Sequence, residues 1–284
     1  MLPFSTIEHL TEKRLLEDAQ GDGKALWGGY IVAREKVFEK ILPYIRSQEP
    51  ALTEHDGSHV VNVLANAYKL LGRPRCIGSN GRSSLTPIEL YFLCLSILFH
   101  DCGNIFGRKG HEARLEEAYT EARGGAQSLA SEKRLVFQIV RSHSGLTSEG
   151  SPDTLAQLDP HGSFGGKQVN CQRIASILRL ADELAEGPQR TSLFMQQHLS
   201  LPKDSQVYHD YANITSSVNI DRSYERIAVV YDIDITPEVW GGQFDPDRLG
   251  GLLSFCYHRM VKLDIERKYN RHYCPLLEIG RAHV

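Results

Sequence analysis

The chain has 284 residues, 41% of them apolar and 24% charged, ordinary proportions for a globular protein with one large core or two modest ones. Its 35 acidic against 32 basic residues leave a net charge of −3, which excludes a general electrostatic attraction to nucleic acid. No run of about 18 apolar residues is seen, so no membrane span is expected, and MLPFSTIEHLTEKR lacks the charged-then-apolar pattern of a signal peptide.

Residues 1–29 are polar and glycine-containing (GDGKALWGG, 21–29) and are expected to form a loosely packed lead-in. From Ile31 to Ser47 apolar residues recur at helical spacing (Ile31, Phe38, Ile41, Leu42, Ile45). Pro43 is expected to kink or end that helix, and Pro50 follows as a stop. A second helix is expected from Thr53, its N-cap, to Leu71, with Gly72 just past the end and RPRCIGSNGRSS (73–84) as a loop. TPIE (86–89) then reads as a start signal: Thr86 caps, Pro87 takes the first helical position, and Glu89 closes a capping box. The helix it opens is apolar on nearly all sides up to His100, as expected of the buried centre of a bundle.

Further helices are expected at about 111–123, 131–142 and 170–186, with a Gly/Pro/Ser-rich loop over 150–166. Past residue 187 the composition changes. YANITSSVNID (211–221) and ERIAVVYDIDI (225–235) are rich in β-branched residues and read as paired strands, and Asp245 to Tyr269 is helical again. GGQFDPDRLGG (241–251) lacks the lysine of a phosphate-binding loop and reads as a turn. The fold class expected is mainly α: a helical bundle over 30–190, then a small α/β segment, a β-hairpin plus a helix, over 191–277. The tail EIGRAHV (278–284) can be encoded by GAG-ATC-GGA-AGA-GCA-CAC-GTC, which matches a common short-read sequencing adapter. On that reading these residues are set aside, and the natural protein is expected to continue past Leu277. Six scattered cysteines (Cys76, Cys94, Cys102, Cys171, Cys256, Cys274), without CxxC spacing, point to reduced thiols and a cytoplasmic setting.

Polar residues stand where an all-α core should be apolar. His55 and His59 share one helix face, His100-Asp101 closes the buried helix, His111 opens the next, His143 ends IVRSHSG, and Asp182 interrupts ILRLADELA. Buried imidazoles and carboxylates cost several kcal/mol unless paired or bound to metal. His and Asp donors together suit a divalent ion such as Fe, Mn, Co, Ni or Mg. Each residue taken singly also has an ordinary reading: Asp182 could pair with Arg179 or Arg173, and His55 could be a first-turn surface residue.

The order H…HD…D on successive helices, at His59, His100-Asp101 and Asp182, resembles the HD superfamily of metal-dependent phosphohydrolases. SHVVNVLANAYKLL, LSILFHDCGN and RLADELAE are similar to that family's first helix, its apolar-then-HD signature and its closing helix, so residues 30–190 are expected to form an HD-type helical bundle. HxxxH followed by HDCG and RLADEL resembles, more narrowly, the bacterial HD-CE subgroup, whose domain often precedes further modules, sometimes a GHKL-type ATPase.

The resemblance implies a ligand set of His59, His100, Asp101, His111, His143 and Asp182 holding one or two divalent ions, with Asp101 and His100 at the centre of catalysis. It implies hydrolysis, by metal-activated water, of a nucleotide or nucleotide phosphodiester. Glu54, Glu112 and Glu183 are candidate acceptors for the ligand-imidazole N–H groups, with an equally open reading as helix-surface acids. Lys109, Arg141 and His55 are the candidate substrate contacts, ahead of Arg108 and Arg179. The alternative is a non-hydrolytic nucleotide sensor that relays occupancy to a fused C-terminal domain. A structural helical domain with incidental histidines is a third reading.

Overall fold

The computed structural model describes residues 2–18, 22–48, 56–78, 83–106, 114–143, 146–147, 149–191, 203–236, 245–278 and 281–283. The chain opens with α1 (Thr6–Glu17) and α2 (Gly23–Lys36), followed by a π-helical turn over Val37–Ile41 and α3 (Leu42–Gln48). The lead-in expected over 1–29 is thus corrected. Ser5 and Glu8 close a capping box on α1, and Ile7, Leu15, Trp27 and Tyr30 lie in the main core. One of the glycines that suggested looseness, Gly23, serves close packing. A Cβ at Gly23 would lie 2.0 Å from the Leu15 carbonyl oxygen, so only glycine lets α2 start against α1.

Pro43 does not end its helix; the regular α-helical ladder is interrupted just before it by the π-helical turn. That wider turn sends the Leu42 N–H back five residues to the Val37 carbonyl, and α3 continues through the proline.

The next helix, α4 (Gly57–Ile77), is capped by Asp56, whose carboxylate accepts from the Ser58 and His59 amides at 2.8 and 3.2 Å. Asp56 therefore does what Thr53 was expected to do; Thr53 itself lies outside the described residues. Gly72 breaks α4 as expected, at φ +69°, but helical turns resume to Ile77 beyond it.

α5 (Pro87–Phe99) follows its start signal closely, with the Thr86–Glu89 box formed and every residue from Ile88 to Phe99 buried. Among the described residues Pro87–Phe106 is the one stretch long and apolar enough to cross a membrane. As 94% of its most apolar 18-residue window is buried inside the protein, it is the bundle's central post. Around it stand α1, α6 (Leu115–Arg123), α7 (Ala130–Arg141) and α8 (Cys171–Glu183), while α4 leans on α1 and α8.

The loop expected over 150–166 contains part of a hairpin, β1 (Gly162–Phe164) with β2 (Lys167–Val169), turned by Gly165 and Gly166 at φ +55° and +76°. After it, α9 (Lys203–Ile214) takes in the YANI that was expected to be strand, because Tyr211, Ala212 and Ile214 bury one face of a helix. Antiparallel β3 (Thr215–Asp221) and β4 (Arg226–Tyr231) pair in a register that sets Val218 opposite Val229. The 28-residue α10 (Pro246–Tyr273), capped by Asp245, runs along α8, and β5 (Arg281–His283) adds in parallel to β4. The chain is thus mainly helical with small sheets, as its sequence implied.

One buried ion pair pins the N-terminal helices. Arg34, 1% exposed, donates to Glu8 at 2.7 Å and to the carbonyls of Leu2 and Pro3, and Tyr30 donates to the same Glu8 oxygen at 2.7 Å. Glu8→Gln should lower the unfolding free energy by about 3 kcal/mol, because the Arg34 charge is left buried without its counterion. Urea denaturation at pH 7 measures this, and a change below about 1 kcal/mol would contradict it.

Candidate metal centre

Four helix ends meet at one point. His59 sits in the first turn of α4, where the Asp56 cap fixes its amide, and is 1% exposed. His100 is the C-cap of α5, and Asp101 follows it into a 3₁₀ turn over Cys102–Phe106. Asp182 comes from the last turn of α8, and His143 lies just past the end of α7.

Equal helix lengths bring two of these together. Asn170 and Arg173 at the start of α8 both donate to Glu89 at the start of α5. Both helices are 13 residues long, so from that shared base they run side by side and end level, with His100 and Asp182 at their tips.

The donor atoms converge. His59 Nε2 lies 3.1 Å from Asp182 Oδ1, 3.3 Å from His100 Nε2 and 3.5 Å from Asp101 Oδ2. His100 Nε2 lies 3.2 Å from Asp101 Oδ2 and 3.6 Å from Asp182 Oδ1. A divalent first-row ion with bonds of about 2.1 Å holds donors about 3.0 Å apart at right angles and about 3.4 Å apart in a tetrahedron. His59, His100 and Asp182, 3.1 to 3.6 Å apart pairwise, bracket those values and fit one such ion, and Asp101 stands beside both imidazoles at 3.2 and 3.5 Å. Asp182, 27% exposed at its side chain, is the member open to solvent.

The imidazoles are oriented from behind. His100 Nδ1 lies 2.7 Å from the Ile97 carbonyl, and His143 Nδ1 bonds the Val140 carbonyl, three residues back in each case. Donation to those carbonyls leaves Nε2 as the atom that can ligate. Backbone carbonyls therefore fill the role considered for acidic side chains. Glu183 points the other way, to Lys262 at 2.8 Å and Arg259 at 3.2 Å, while Glu54 and Glu112 lie outside the described residues.

Charge is concentrated here. Burial alone would depress the pKa of His100, but Asp101 and then Asp182 overcome it and hold the imidazolium well above its ordinary range. Burial would raise Asp182, yet hydrogen bonds from His100 and His59 hold it well below the carboxylate range. His143 is pushed down, first by burial and then by the charge on His100, whose ring stands perpendicular to its own at 5.5 Å between centroids. Without metal, the proton on His100 supplies the cation between the two carboxylates.

The structure thus brings together His59, His100, Asp101 and Asp182, with His143 beside them. His111, His55, Lys109 and Arg108 fall outside the described residues. Arg141 is exposed on the last turn of α7, its guanidinium 5.3 Å from the ring centre of Phe137. Arg179 is taken by Glu266, with bonds of 2.6 and 2.7 Å, so its partner is neither Asp182 nor Glu183.

Two supporting residues went unread in the sequence. Asn104 donates to Asp101 Oδ1 at 2.9 Å, and its position three residues after the aspartate was the available signal. Asn66, on the His59 face of α4 two turns later, donates to the Ala181 carbonyl at 3.2 Å and steadies the residue before Asp182.

Comparison with curated proteins and with solved structures finds no match. A family model, HD-CE, matches residues 49–245, a span that holds every donor of the cluster and runs through the β3–β4 hairpin to the cap of α10. With more than half of its length matched, and with the site that the His…His-Asp…Asp order implied, the chain belongs to the HD-CE family.

Proposed function

We propose that the chain is a metal-dependent phosphohydrolase that cleaves a nucleotide or a nucleotide phosphodiester. The observation that carries this reading is the mutual approach of His59, His100 and Asp182 in a spacing that suits one divalent ion, with Asp101 against both imidazoles. Mn, Fe, Mg, Co or Ni each accept this donor set. An ion held there supplies positive charge to a phosphoryl oxygen and lowers the pKa of water from 15.7 toward about 7.

The protein's own groups do the rest. Asp182 would hold the ion from the solvent-open side, and the buried His59 and His100 would hold it from the core with Asp101 beside them. Asn104 occupies one oxygen of Asp101 and leaves Oδ2 toward the cluster. His143, whose pKa burial pushes down, would offer its Nε2 as a further ligand. The buried walls of α5 and α7 keep water from the inner face of the site, which strengthens each electrostatic contact. The six cysteines, all buried and unpaired, fit the reducing cytoplasm in which nucleotides are abundant.

Protein purified without oxygen should carry close to stoichiometric divalent metal and hydrolyse bis(p-nitrophenyl) phosphate or a member of a cyclic and linear nucleotide panel. Asp101→Ala should lower turnover at least about 100-fold, as expected when a group that stabilises developing charge is removed. Retention of both metal and turnover in that variant would sink the reading. Asn104→Ala, which leaves all the ligands in place, should weaken metal affinity by about 10-fold or more by calorimetry. Metal must also displace the proton from His100. Uptake should therefore release protons, and affinity should fall steadily as pH is lowered from 8 to 6, measured by calorimetry in buffers of different ionisation enthalpy. Affinity independent of pH would contradict the donor assignment.

A further inference from the structure

The seam between α8 and α10 is polar in a regular way. Arg179, Glu183 and Glu186 follow one another at helical spacing along α8 and the turn after it. Opposite them, in reverse order, stand Glu266, Lys262 and Arg259 of α10. Arg179 forks onto Glu266 at 2.6 and 2.7 Å, and Glu183 meets Lys262 at 2.8 Å and Arg259 at 3.2 Å. Glu186 meets Arg259 at 2.8 Å, so that one guanidinium ties two carboxylates, and it lies 5.5 Å from the ring centre of Tyr211 in α9. Except for Lys262, these side chains are less than one fifth exposed.

These pairs bracket Asp182. It stands in the last turn of α8, the part of a helix where fraying is easiest. It is also the cluster member least enclosed by the core. The next residue, Glu183, is clamped to α10, as are the residues three before and four after Asp182. The same seam reaches the His143 turn: Arg179 also donates to Thr154 Oγ1 at 3.1 Å, and that hydroxyl donates to the Ser142 carbonyl at 2.7 Å.

We propose that Arg259, with Lys262 and Glu266, positions Asp182 through this antiparallel ion-pair zipper, so that metal occupancy and the seating of α10 are coupled. The inference rests on the metal site proposed above and gives α10, which supplies none of the four clustered donors, a part in its affinity. Arg259 is a positioning residue.

Coupling is reciprocal, and a merely stabilising seam would not produce it. Hydrogen exchange on the full chain should show Mn²⁺ slowing exchange at least 5-fold over 180–186 and also over 252–263 of α10. In the double variant Glu183→Gln/Glu186→Gln the protection over 252–263 should be lost. By calorimetry Arg259→Gln should weaken Mn²⁺ binding at least 5-fold, Arg259→Lys should recover part of the loss, and Tyr30→Phe, in the N-terminal network, should bind as the unaltered protein does. Mn²⁺ affinity unchanged in Arg259→Gln, α10 protection that persists in the double variant, or no α10 protection in the unaltered protein would each overturn the proposal. If the unaltered protein takes up no Mn²⁺, the metal reading fails by itself. Positioning is then read without metal: faster exchange over 180–186 in Arg259→Gln upholds it, and unchanged exchange overturns it.

Discussion

Two imidazole nitrogens and the Asp182 carboxylate within 3.1 to 3.6 Å of one another, with the Asp101 carboxylate 3.2 and 3.5 Å from those nitrogens, do not hold together at the edge of an apolar core without positive charge among them. That requirement organises the molecule around the end of α5. A proton on His100 meets it in the metal-free protein, and a divalent ion meets it better, since an ion can satisfy four donors at once and a proton only two. The fold supplies what neither cation can, which is the rigidity that prevents the like-charged carboxylates from moving apart.

Much of that rigidity comes from buried polar networks distributed around the apolar post. Glu132 takes hydrogen bonds from Tyr91, Tyr119 and Arg123 and so joins α5, α6 and α7. Glu8 and Arg34 do the same for α1, α2 and the N-terminal residues, and Glu89 joins the bases of α5 and α8. Each of these acids has all its obvious partners, so the networks fix orientations that packing of Leu, Ile and Val alone leaves degenerate. The site inherits its geometry from them, since each joins a helix that carries a ligand to a neighbour or steadies the helices behind it.

What the sequence made legible followed from signals that are local. The Thr86-Pro87-Glu89 start, the unbroken apolar run and the His-Asp pair at its end are all contained in one segment, and α5 with its ligands agrees with them. The order of the remaining ligands along the chain carried the family. Long-range choices were harder to see. Gly23 looks like a flexible residue until Leu15 is set against it, and Glu183 looks like a neighbour of the site until α10 supplies Arg259 and Lys262. The acceptors for the His100 and His143 ring N–H groups are carbonyls of Ile97 and Val140, and no side-chain pattern encodes those. Asp56 took the cap considered for Thr53 because both residue types cap well and only the position of the first helical turn decides between them.

The matched lengths of α5 and α8 carry one last consequence. Two rods that share a footing at Glu89 and must finish at the same height tolerate no change in residue number between footing and tip. One residue inserted in either would lift its ligand by about 1.5 Å and swing it by about 100°, carrying His100 or Asp182 out of the cluster altogether. A substitution that fills the same volume on the buried face of either rod leaves its ligand in place, whereas a change in the count between footing and tip does not. In this protein the spacing of the chemistry is stored as an integer.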